Sequence, residues 1–241
     1  MKKLALFVPT LHGGGAERVM VNLASGLVSL GYNVNLIVAD THGVFLSQID
    51  PAVHIIDLKQ PRVLFALPKL IGYLIKEKPI GLISALDYAN IIAIIAGRLT
   101  QVPVVISEHS THSNALENVT GIKAKILPYL MQFFYPNAHA VVAVSDGVAK
   151  DLSSALKLDI RTISVIPNPV ITSDLPLKAA MIPKHPWLAN KTVPLILAVG
   201  RLSPPKDFST LLHAFSLMIH TRDAKLIILG EGEDRSPLEQ L

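Results

Sequence analysis

The stretch LALFVPTLHGGGAERVMVNLASGL, Leu4–Leu27, decides the fold. It passes from an apolar run through three consecutive glycines, Gly13, Gly14 and Gly15, into a pattern in which apolar residues recur every three or four positions. Such spacing places the apolar side chains on one face of a helix. A strand, a glycine turn and a helix in this order direct backbone N–H groups and the positive end of the helix toward a site that suits an anion. Because a plain strand-to-helix turn rarely needs more than one glycine, this turn either has an unusual backbone shape or leaves room for a ligand.

Outward from this stretch, short β-rich runs alternate with helical patterns. Several of the runs are continuous Val, Ile and Leu, which is typical of parallel strands covered on both faces. The alternation predicts an α/β fold built of doubly wound parallel sheets. The predicted strands are Leu4–Val8, Val34–Ala39, His54–Asp57, Gly81–Ala85, Val104–Ser107, Ala140–Val144, Ser164–Ile166, Leu195–Val199 and Lys225–Leu229.

The alternation breaks once, at Pro167, where a proline-rich segment without periodicity begins. We therefore predict a first domain over residues 1–167, a linker over 168–193 and a second domain that starts at 194. The βα pattern restarts there but reaches only two units by residue 241. Two βα units cannot cover a doubly wound sheet on both faces, so we expect the second domain to be incomplete in this chain.

Composition and charge narrow the class of protein. Of 241 residues, 50% are apolar and 17% are charged, which excludes a disordered chain. The sequence contains no cysteine and no convincing membrane span, and both features fit a cytoplasmic protein. The net charge is +4. Several lysines border apolar helical patterns, namely Lys69, Lys76, Lys78, Lys123 and Lys125. They form either an ordinary solvated surface or a face that rests on an anionic membrane, and the two alternatives remain equal.

The glycine turn matches known anion-binding motifs only in part. A dinucleotide fingerprint has glycines at its first, third and sixth positions, but the sixth residue counted from Gly13 is Arg18. Asp40, at the end of the second predicted strand, stands where a ribose-binding acid would stand in an NAD-dependent oxidoreductase. That function stays open as the weaker alternative. A nucleotide-hydrolase loop needs a Gly-Lys-Ser/Thr ending, which this turn lacks.

Six motifs in the right order resemble the retaining GT-B glycosyltransferases of family four. They are GGGAERVMVNLASGL, ISEHS, VVAVSDGVAKDL, VIPNPV, AVGRLSPPKDFSTLLHAF and LIILGEGED. The resemblance implies two facing Rossmann-like domains, with a nucleotide-diphosphate sugar held mainly by the second and the acceptor mainly by the first. It implies transfer with retention to a glycan or polyprenyl-linked acceptor, in polysaccharide or lipid-linked oligosaccharide synthesis. No cofactor beyond the donor, no metal and no nucleic acid is expected.

Two cations are the expected grip on the donor diphosphate. Glycosyl transfer needs the negative charge of the leaving diphosphate to be neutralised, and fixed cations do this without a metal. Arg201 ends a predicted parallel strand at the edge where such sheets bind ligands. Lys206 precedes Asp207, the predicted N-cap of the next helix, so its ammonium stands near a positive helix end. We predict catalytic roles for Arg201 and Lys206.

The resemblance implies the remaining site residues. His109 matches a histidine close to the transferred sugar, where it would orient the sugar and stabilise developing charge, whereas Glu108 beside it is expected to be structural. The turn Gly13–Gly15 would face the diphosphate and Arg201 across the interdomain cleft. The backbone of Gly230, Glu231 and Gly232 would face the nucleotide. We therefore predict that these three residues, like the glycine turn, bind substrate.

The family's pair of glutamates, which binds the sugar hydroxyls and the ribose, has no counterpart before Leu241. We therefore expect residues 1–241 alone not to turn over a sugar nucleotide. A non-catalytic binding module is the alternative function that this expectation keeps open. The sequence leaves the sugar, the nucleotide base, the acceptor and the oligomeric state undetermined.

Overall fold

The computed structural model of the protein describes residues 2–111, 122–172, 175–189 and 192–241. The description does not extend to the side chains of residues 122–125 and 189. The chain forms two compact units, Met1–Thr172 and Ser173–Leu241, and each is described by itself.

All nine predicted strands are present, and their ends differ from the predicted ones by at most one residue. Every strand pairing in the described part of the chain is parallel, as expected for long Val-, Ile- and Leu-rich runs. The strands are β1 (Lys3–Val8), β2 (Asn33–Val38), β3 (His54–Asp57), β4 (Leu82–Ala85), β5 (Val104–Glu108), β6 (Ala140–Ala143), β7 (Ile163–Val165), β8 (Leu195–Val199) and β9 (Lys225–Leu229).

Helices follow most of the strands. The α-helices of the described residues are α1 (Gly15–Ser29), α2 (Leu67–Glu77), α3 (Asp87–Thr100), α4 (Ile122–Phe134), α5 (Asp146–Leu156), α6 (Leu175–Ala179), α7 (Pro186–Ala189), α8 (Phe208–Ile219) and α9 (Arg235–Glu239). Short 3₁₀ turns cover Leu46–Gln48, Val63–Ala66, Tyr135–Asn137, Ile160–Thr162 and Pro204–Lys206.

The first unit is a doubly wound sheet. Its strand order within the described residues is β3-β2-β1-β4-β5-β6-β7, so the order reverses between β1 and β4. In open parallel sheets, ligands bind beyond the carboxyl ends of the strands at such a reversal. The glycine turn follows β1 directly, and therefore lies at this point of the fold.

Both faces of the first sheet bury apolar side chains, because neighbouring residues of a strand point to opposite faces. On one face, Leu6 and Val8 of β1 pack with α1. On the other, Ala5 and Phe7 pack in a larger core with α2, α3, α4 and α5. Helix α1 and helix α3 thus lie on opposite faces, and the segments that lead into them diverge at the reversal.

The second unit contains β8, α8 and β9. Leu195–Val199 pairs in register with Lys225–Leu229. Helix α8 connects the two strands, and its N-cap is Asp207, as predicted: the Asp207 carboxylate accepts a hydrogen bond from the Thr210 N–H at 3.2 Å.

Candidate functional site

The three glycines of the turn differ in what the fold requires of them. Gly13 has φ +124°, a conformation that L side chains rarely adopt, so the turn itself needs a glycine there. Gly14 is the N-cap of α1 in extended backbone, and a Cβ on it would meet only the flexible carboxylate of Glu17. A Cβ on Gly15 would meet nothing within 4 Å. Neither backbone conformation nor packing therefore explains glycine at position 15.

His109 follows β5 at the same edge of the first sheet. Both ring nitrogens are buried, and neither has a hydrogen-bond partner among the described residues. Burial lowers the pKa of His109, and the nearby Asn168 side chain acts in the opposite direction. The imidazole is therefore neutral at physiological pH, in a form that can donate a hydrogen bond from one nitrogen and accept at the other.

Glu108, the last residue of β5, is buried in the core behind His109, with only 2% of its surface exposed. Its Oε1 accepts a hydrogen bond from Asn90 Nδ2 at 2.8 Å and another from the Tyr135 hydroxyl. Burial, and next the charge of Asp87, raise the pKa of Glu108 to about 8. The buried hydrogen bonds agree with the structural role expected for this residue.

Asp40 lies after β2, and its carboxylate is engaged locally. It accepts hydrogen bonds from the backbone N–H of His42 at 3.3 Å and from the His42 ring. This contact lowers the pKa of Asp40 and raises that of His42. The Asp40 carboxylate thus pairs with His42, and the comparison with the dinucleotide fingerprint did not predict this contact.

In the second unit, Arg201 is not a solitary cation. Its Nη2 and Nε donate hydrogen bonds to Glu233 Oε2 at 3.0 and 3.2 Å. The pKa of Glu233 is lowered mainly because the backbone N–H of Glu233 hydrogen-bonds to its carboxylate. Arg201 adds to this effect. The guanidinium is held beside the loop after β9 by a carboxylate that the sequence analysis overlooked.

Lys206 ends the 3₁₀ turn that precedes α8, and it is exposed. Asp207, next along the chain, has φ +47° and ψ 48°, left-handed values that are uncommon for residues other than glycine. The turn brings the Lys206 stem alongside Gly200, at the end of β8. Arg201 and Lys206 thus both extend from the carboxyl end of β8.

Gly230 and Gly232 have a packing reason to be glycine. A Cβ on Gly230 would lie 1.8 Å from the Gly200 carbonyl oxygen, and one on Gly232 would lie 2.0 Å from the Leu202 carbonyl oxygen. Between them, the Glu231 carbonyl accepts a hydrogen bond from the Leu202 N–H at 2.9 Å. The loops after β8 and β9 therefore run in backbone contact.

A cleft of about 590 Å³ opens beside these loops. Gly230 and Glu231 line it together with apolar residues of α8 and β9 and with Arg235. The Glu231 carboxylate pairs with Arg235, four residues along. The substrate-binding roles assigned to Gly230, Glu231 and Gly232 stay predictions, as does the placement of Gly13–Gly15 opposite Arg201.

The sequence profile of Glycosyltransferase Family 4 matches residues 13–174, two thirds of the chain. The chain belongs to this family. The match starts at the glycine turn and runs through His109 and Asn168. Membership in Glycosyltransferase Family 4 confirms the resemblance drawn from the six motifs and decides against an oxidoreductase.

Curated relatives cover nearly all of the chain. A 4-alpha-N-acetylgalactosaminyltransferase of Campylobacter jejuni, named for N-acetylgalactosamine-N,N'-diacetylbacillosaminyl-diphospho-undecaprenol, is 27% identical over 96% of this chain and 63% of its own length. The amylovoran biosynthesis glycosyltransferase AmsD of Erwinia amylovora is 26% identical over 99% of this chain and 64% of its own length. The chain thus spans slightly less than two thirds of each relative.

Solved structures establish the type of fold. HepE of Anabaena, in complex with UDP and glucose, superposes with a TM-score of 0.72 at 15% identity and covers all of this chain and 64% of that one. Sucrose-phosphate synthase of Thermosynechococcus elongatus gives a TM-score of 0.68 at 17% identity, over 95% of this chain and 62% of that one. These neighbours are GT-B proteins, and the predicted α/β fold is confirmed.

Proposed function

We propose that the protein transfers a sugar from a nucleotide-diphosphate sugar to a glycan or polyprenyl-linked acceptor. Membership in Glycosyltransferase Family 4 carries the proposal. The names of the relatives, which concern an undecaprenol-linked saccharide and amylovoran synthesis, support the acceptor class.

Donor binding is assigned to the carboxyl ends of the strands in both units. In the second unit, Arg201 and Lys206 supply positive charge for the diphosphate that leaves with the nucleotide, and no cofactor or metal is invoked. In the first unit, Gly15 leaves open space before the N-terminus of α1, where a phosphate or sugar oxygen can approach the backbone.

His109 is assigned to the transferred sugar. Its neutral imidazole can accept a hydrogen bond from a sugar hydroxyl at one nitrogen and donate at the other. Hydrogen bonds to the sugar that strengthen as the bond to the diphosphate breaks stabilise the transition state. Retention of the anomeric configuration is proposed from the family resemblance.

Contact with an anionic membrane surface is proposed for the first unit. None of the helices in the described residues is long and apolar enough to span a bilayer. Helix α4 exposes four apolar side chains at helical spacing, with Tyr129 and Phe133 73% and 70% exposed; the other two are Ile126 and Leu130. Aromatic side chains of this kind favour the membrane–water interface.

The charge around this stripe favours a lipid surface over a protein partner. The sequence of α4 contains Lys123 and Lys125 and no acidic residue; the side chains of these lysines lie outside the described residues. Lys69, on α2, donates a hydrogen bond to the Leu58 carbonyl at 2.7 Å, so its ammonium is already engaged within the protein. We therefore propose α4, rather than α2, as the helix that contacts the membrane.

A transfer assay tests the proposed activity. The protein, at its natural length, is incubated with a panel of UDP- and GDP-sugars and with prenyl-diphosphate-linked saccharides of increasing length, and products are identified by mass. Anomeric coupling constants in the product then show whether the configuration is retained. An acceptor extended by one sugar, and lost in His109→Ala, supports the proposal. Reduction of NAD without any sugar transfer would refute it.

A further inference from the structure

A hydrogen-bonded polar group lies inside the apolar core directly behind His109. It consists of Asn90 on α3, Glu108 at the end of β5 and Tyr135 after α4, and each is at most 2% exposed. Asn90 Nδ2 and the Tyr135 hydroxyl both donate to Glu108 Oε1. Asn90 Nδ2 also lies 3.3 Å from the Ser107 carbonyl oxygen. The end of β5 is therefore tied to two other elements by side chains and by its backbone.

The alternation of β5 connects this group to the candidate site. Val104, Ile106 and Glu108 are buried against the helices, whereas Val105 and Ser107 are half-buried on the opposite face. His109 is the next residue after Glu108, so fixing the Glu108 side chain fixes the backbone from which the imidazole extends. Among the described residues no hydrogen bond of ordinary length holds the His109 ring nitrogens, so the position of the ring depends on the backbone from which it extends.

We propose that Glu108 is the positioning residue of His109: the hydrogen bonds of its buried carboxyl group to Asn90 and Tyr135 hold the end of β5 in the geometry that presents the imidazole to the sugar. This inference rests on the proposed function, in which His109 contacts the transferred sugar. Apolar residues of similar size would fill such a core at less desolvation cost. A hydrogen-bonded polar group is retained here because it fixes the orientation of the end of β5. Apolar packing would fix this orientation less precisely.

The proton on Glu108 is part of this arrangement. The titratable groups that act on Glu108 are Asp87, at the start of α3, and Tyr135. The charge of the half-buried Asp87 acts together with burial to raise the pKa of Glu108, because a nearby like charge disfavours the ionised form. Raising the pKa favours protonated Glu108, whose Oε1 accepts from Asn90 and Tyr135. Ionisation breaks this pattern by repulsion between Glu108 and Asp87.

The backbone next to Asp87 is strained in a way that keeps the acid in place. Leu86 has φ +79° and ψ 134°, values that a leucine rarely adopts. Its carbonyl accepts a hydrogen bond from the Asn90 N–H at 2.8 Å. Strain of this kind persists only where the surroundings enforce it.

The test compares two substitutions of Glu108 that separate shape from protonation. Glu108→Gln has nearly the shape of the protonated acid and can make the same hydrogen bonds without titrating. Glu108→Leu keeps the volume and removes every hydrogen bond. The position of His109 is read from the ¹⁵N resonances of its imidazole, assigned with His109→Gln, between pH 5 and 10.

We expect wild type and Glu108→Gln to give the same His109 resonances at pH 6. In wild type a second inflection should appear near the pKa of Glu108, about 8, and it should be absent from Glu108→Gln. In Glu108→Leu the resonances should shift or broaden, and the titration midpoint should rise toward that of a free histidine. Identical profiles in all three proteins would overturn the proposal.

Asn35→Leu is the matched control, because it removes a comparable buried hydrogen bond, from Asn35 Nδ2 to the Tyr73 hydroxyl at 2.7 Å, at a strand far from β5 in the sheet. It should leave the His109 resonances unchanged. If Glu108→Leu fails to fold, Tyr135→Phe removes a single donor and should produce a smaller shift in the same direction; no shift in a folded Tyr135→Phe would also count against the proposal.

A transfer assay separates this inference from the proposed function. With an active donor, Glu108→Leu should lower kcat about a hundredfold and leave the donor KM nearly unchanged, because misplaced catalytic groups chiefly affect the chemical step. A loss in KM alone would overturn the positioning role. If wild type transfers no sugar, the proposed function fails, while the His109 resonances still report whether Glu108 positions the ring.

Discussion

The Arg201 guanidinium donates two hydrogen bonds to a single carboxylate oxygen of Glu233, at 3.0 and 3.2 Å. Both side chains are more than half exposed, at 72% and 52%, so water screens the pair and it adds little to folding stability. Its effect is on charge. The pair orients the Arg201 guanidinium and partly neutralises its charge, so a diphosphate bound there, as proposed, would meet a weakened cation.

Replacing Glu233 by Gln should strengthen diphosphate binding. The substitution removes one negative charge a few ångström from Arg201, which in a high dielectric corresponds to a gain of about threefold in affinity. Calorimetric titration with UDP and with inorganic diphosphate at low salt measures the change, which added salt should reduce. Asp223→Asn is the control, since it removes an exposed acid elsewhere. Equal or weaker binding by Glu233→Gln would contradict the role given to Arg201.

Removing the cations themselves should abolish most transfer. Arg201→Ala or Lys206→Ala deletes a charge that the proposed function assigns to the leaving diphosphate, and the loss of one such group lowers kcat by roughly a hundredfold or more. Initial rates at saturating donor and acceptor provide the measurement. Arg222→Ala, at an exposed position after α8, should behave as wild type. Normal rates for both cation variants would show that neither contacts the diphosphate.

Alanine substitutions at the glycines of the turn should affect stability and transfer activity differently. Gly15→Ala adds a Cβ that meets nothing within 4 Å, so stability should be kept or raised by up to about 1 kcal/mol, as for other helical glycines. Transfer should nevertheless fall, because the added methyl occupies the space assigned to the ligand. Thermal unfolding and transfer rates on the same preparations measure both effects.

Two further variants calibrate this result. Gly26→Ala lies in the same helix with equally open space, so it should be as stable as Gly15→Ala while transferring normally. Gly13→Ala should destabilise the protein, because φ +124° strains any residue with a Cβ. Wild-type transfer by Gly15→Ala would mean that the third glycine has no ligand to accommodate.

Local pattern was enough to predict the strands of this protein. Parallel strands that are buried on both faces need apolar runs, and the sequence shows such runs at several of the strands. The N-cap Asp207 was also predictable, because a cap acts on an N–H only three residues away: the Asp207 carboxylate accepts from the Thr210 N–H at 3.2 Å.

Contacts between distant residues were not predictable in the same way. Glu233 is 32 residues from Arg201, and Asn90 and Tyr135 lie 18 and 27 residues from Glu108. Each contact depends on which strands become neighbours and on where their following loops turn. His109 could be found from a motif, whereas the acid that supports it resembled an ordinary loop residue until the sheet placed it beside α3.

The buried Glu108 should make stability depend on pH in the direction opposite to most carboxylates. Its pKa in the folded state, about 8, is higher than the ordinary value of 4.5. The folded protein therefore holds a proton that the unfolded chain releases, and stability is lost as the pH rises between these two values. Since each pKa unit corresponds to about 1.4 kcal/mol, the total is on the order of a few kcal/mol. Urea unfolding at several pH values in this window, compared with Glu108→Gln, measures it.

The free energy of unfolding of Glu108→Gln should change less steeply with pH than that of wild type, so that the two curves diverge as the pH rises. Subtracting them cancels the contributions of every other titrating group that the substitution leaves alone. Parallel curves would mean that Glu108 is ionised in the folded protein at neutral pH, and would remove the protonated form from the core of the first unit.

The apolar stripe of α4 should bind anionic vesicles. Tyr129 and Phe133 are the most exposed members of the stripe, and they can enter the headgroup region. The sequence of α4 also contributes two lysines, and each lysine near an anionic surface adds about 1 kcal/mol of attraction. We expect the protein to sediment with phosphatidylglycerol vesicles at low salt and much less with phosphatidylcholine vesicles or at high salt.

Tyr129→Ala/Phe133→Ala should abolish sedimentation. Leu30→Ala/Leu99→Ala, which removes two similarly exposed apolar side chains, one at the C-cap of α1 and one on α3, should not. Equal binding by both double variants would assign the attraction to overall charge alone, and a shift from dimer to monomer in Tyr129→Ala/Phe133→Ala without vesicles would make α4 a protein interface instead.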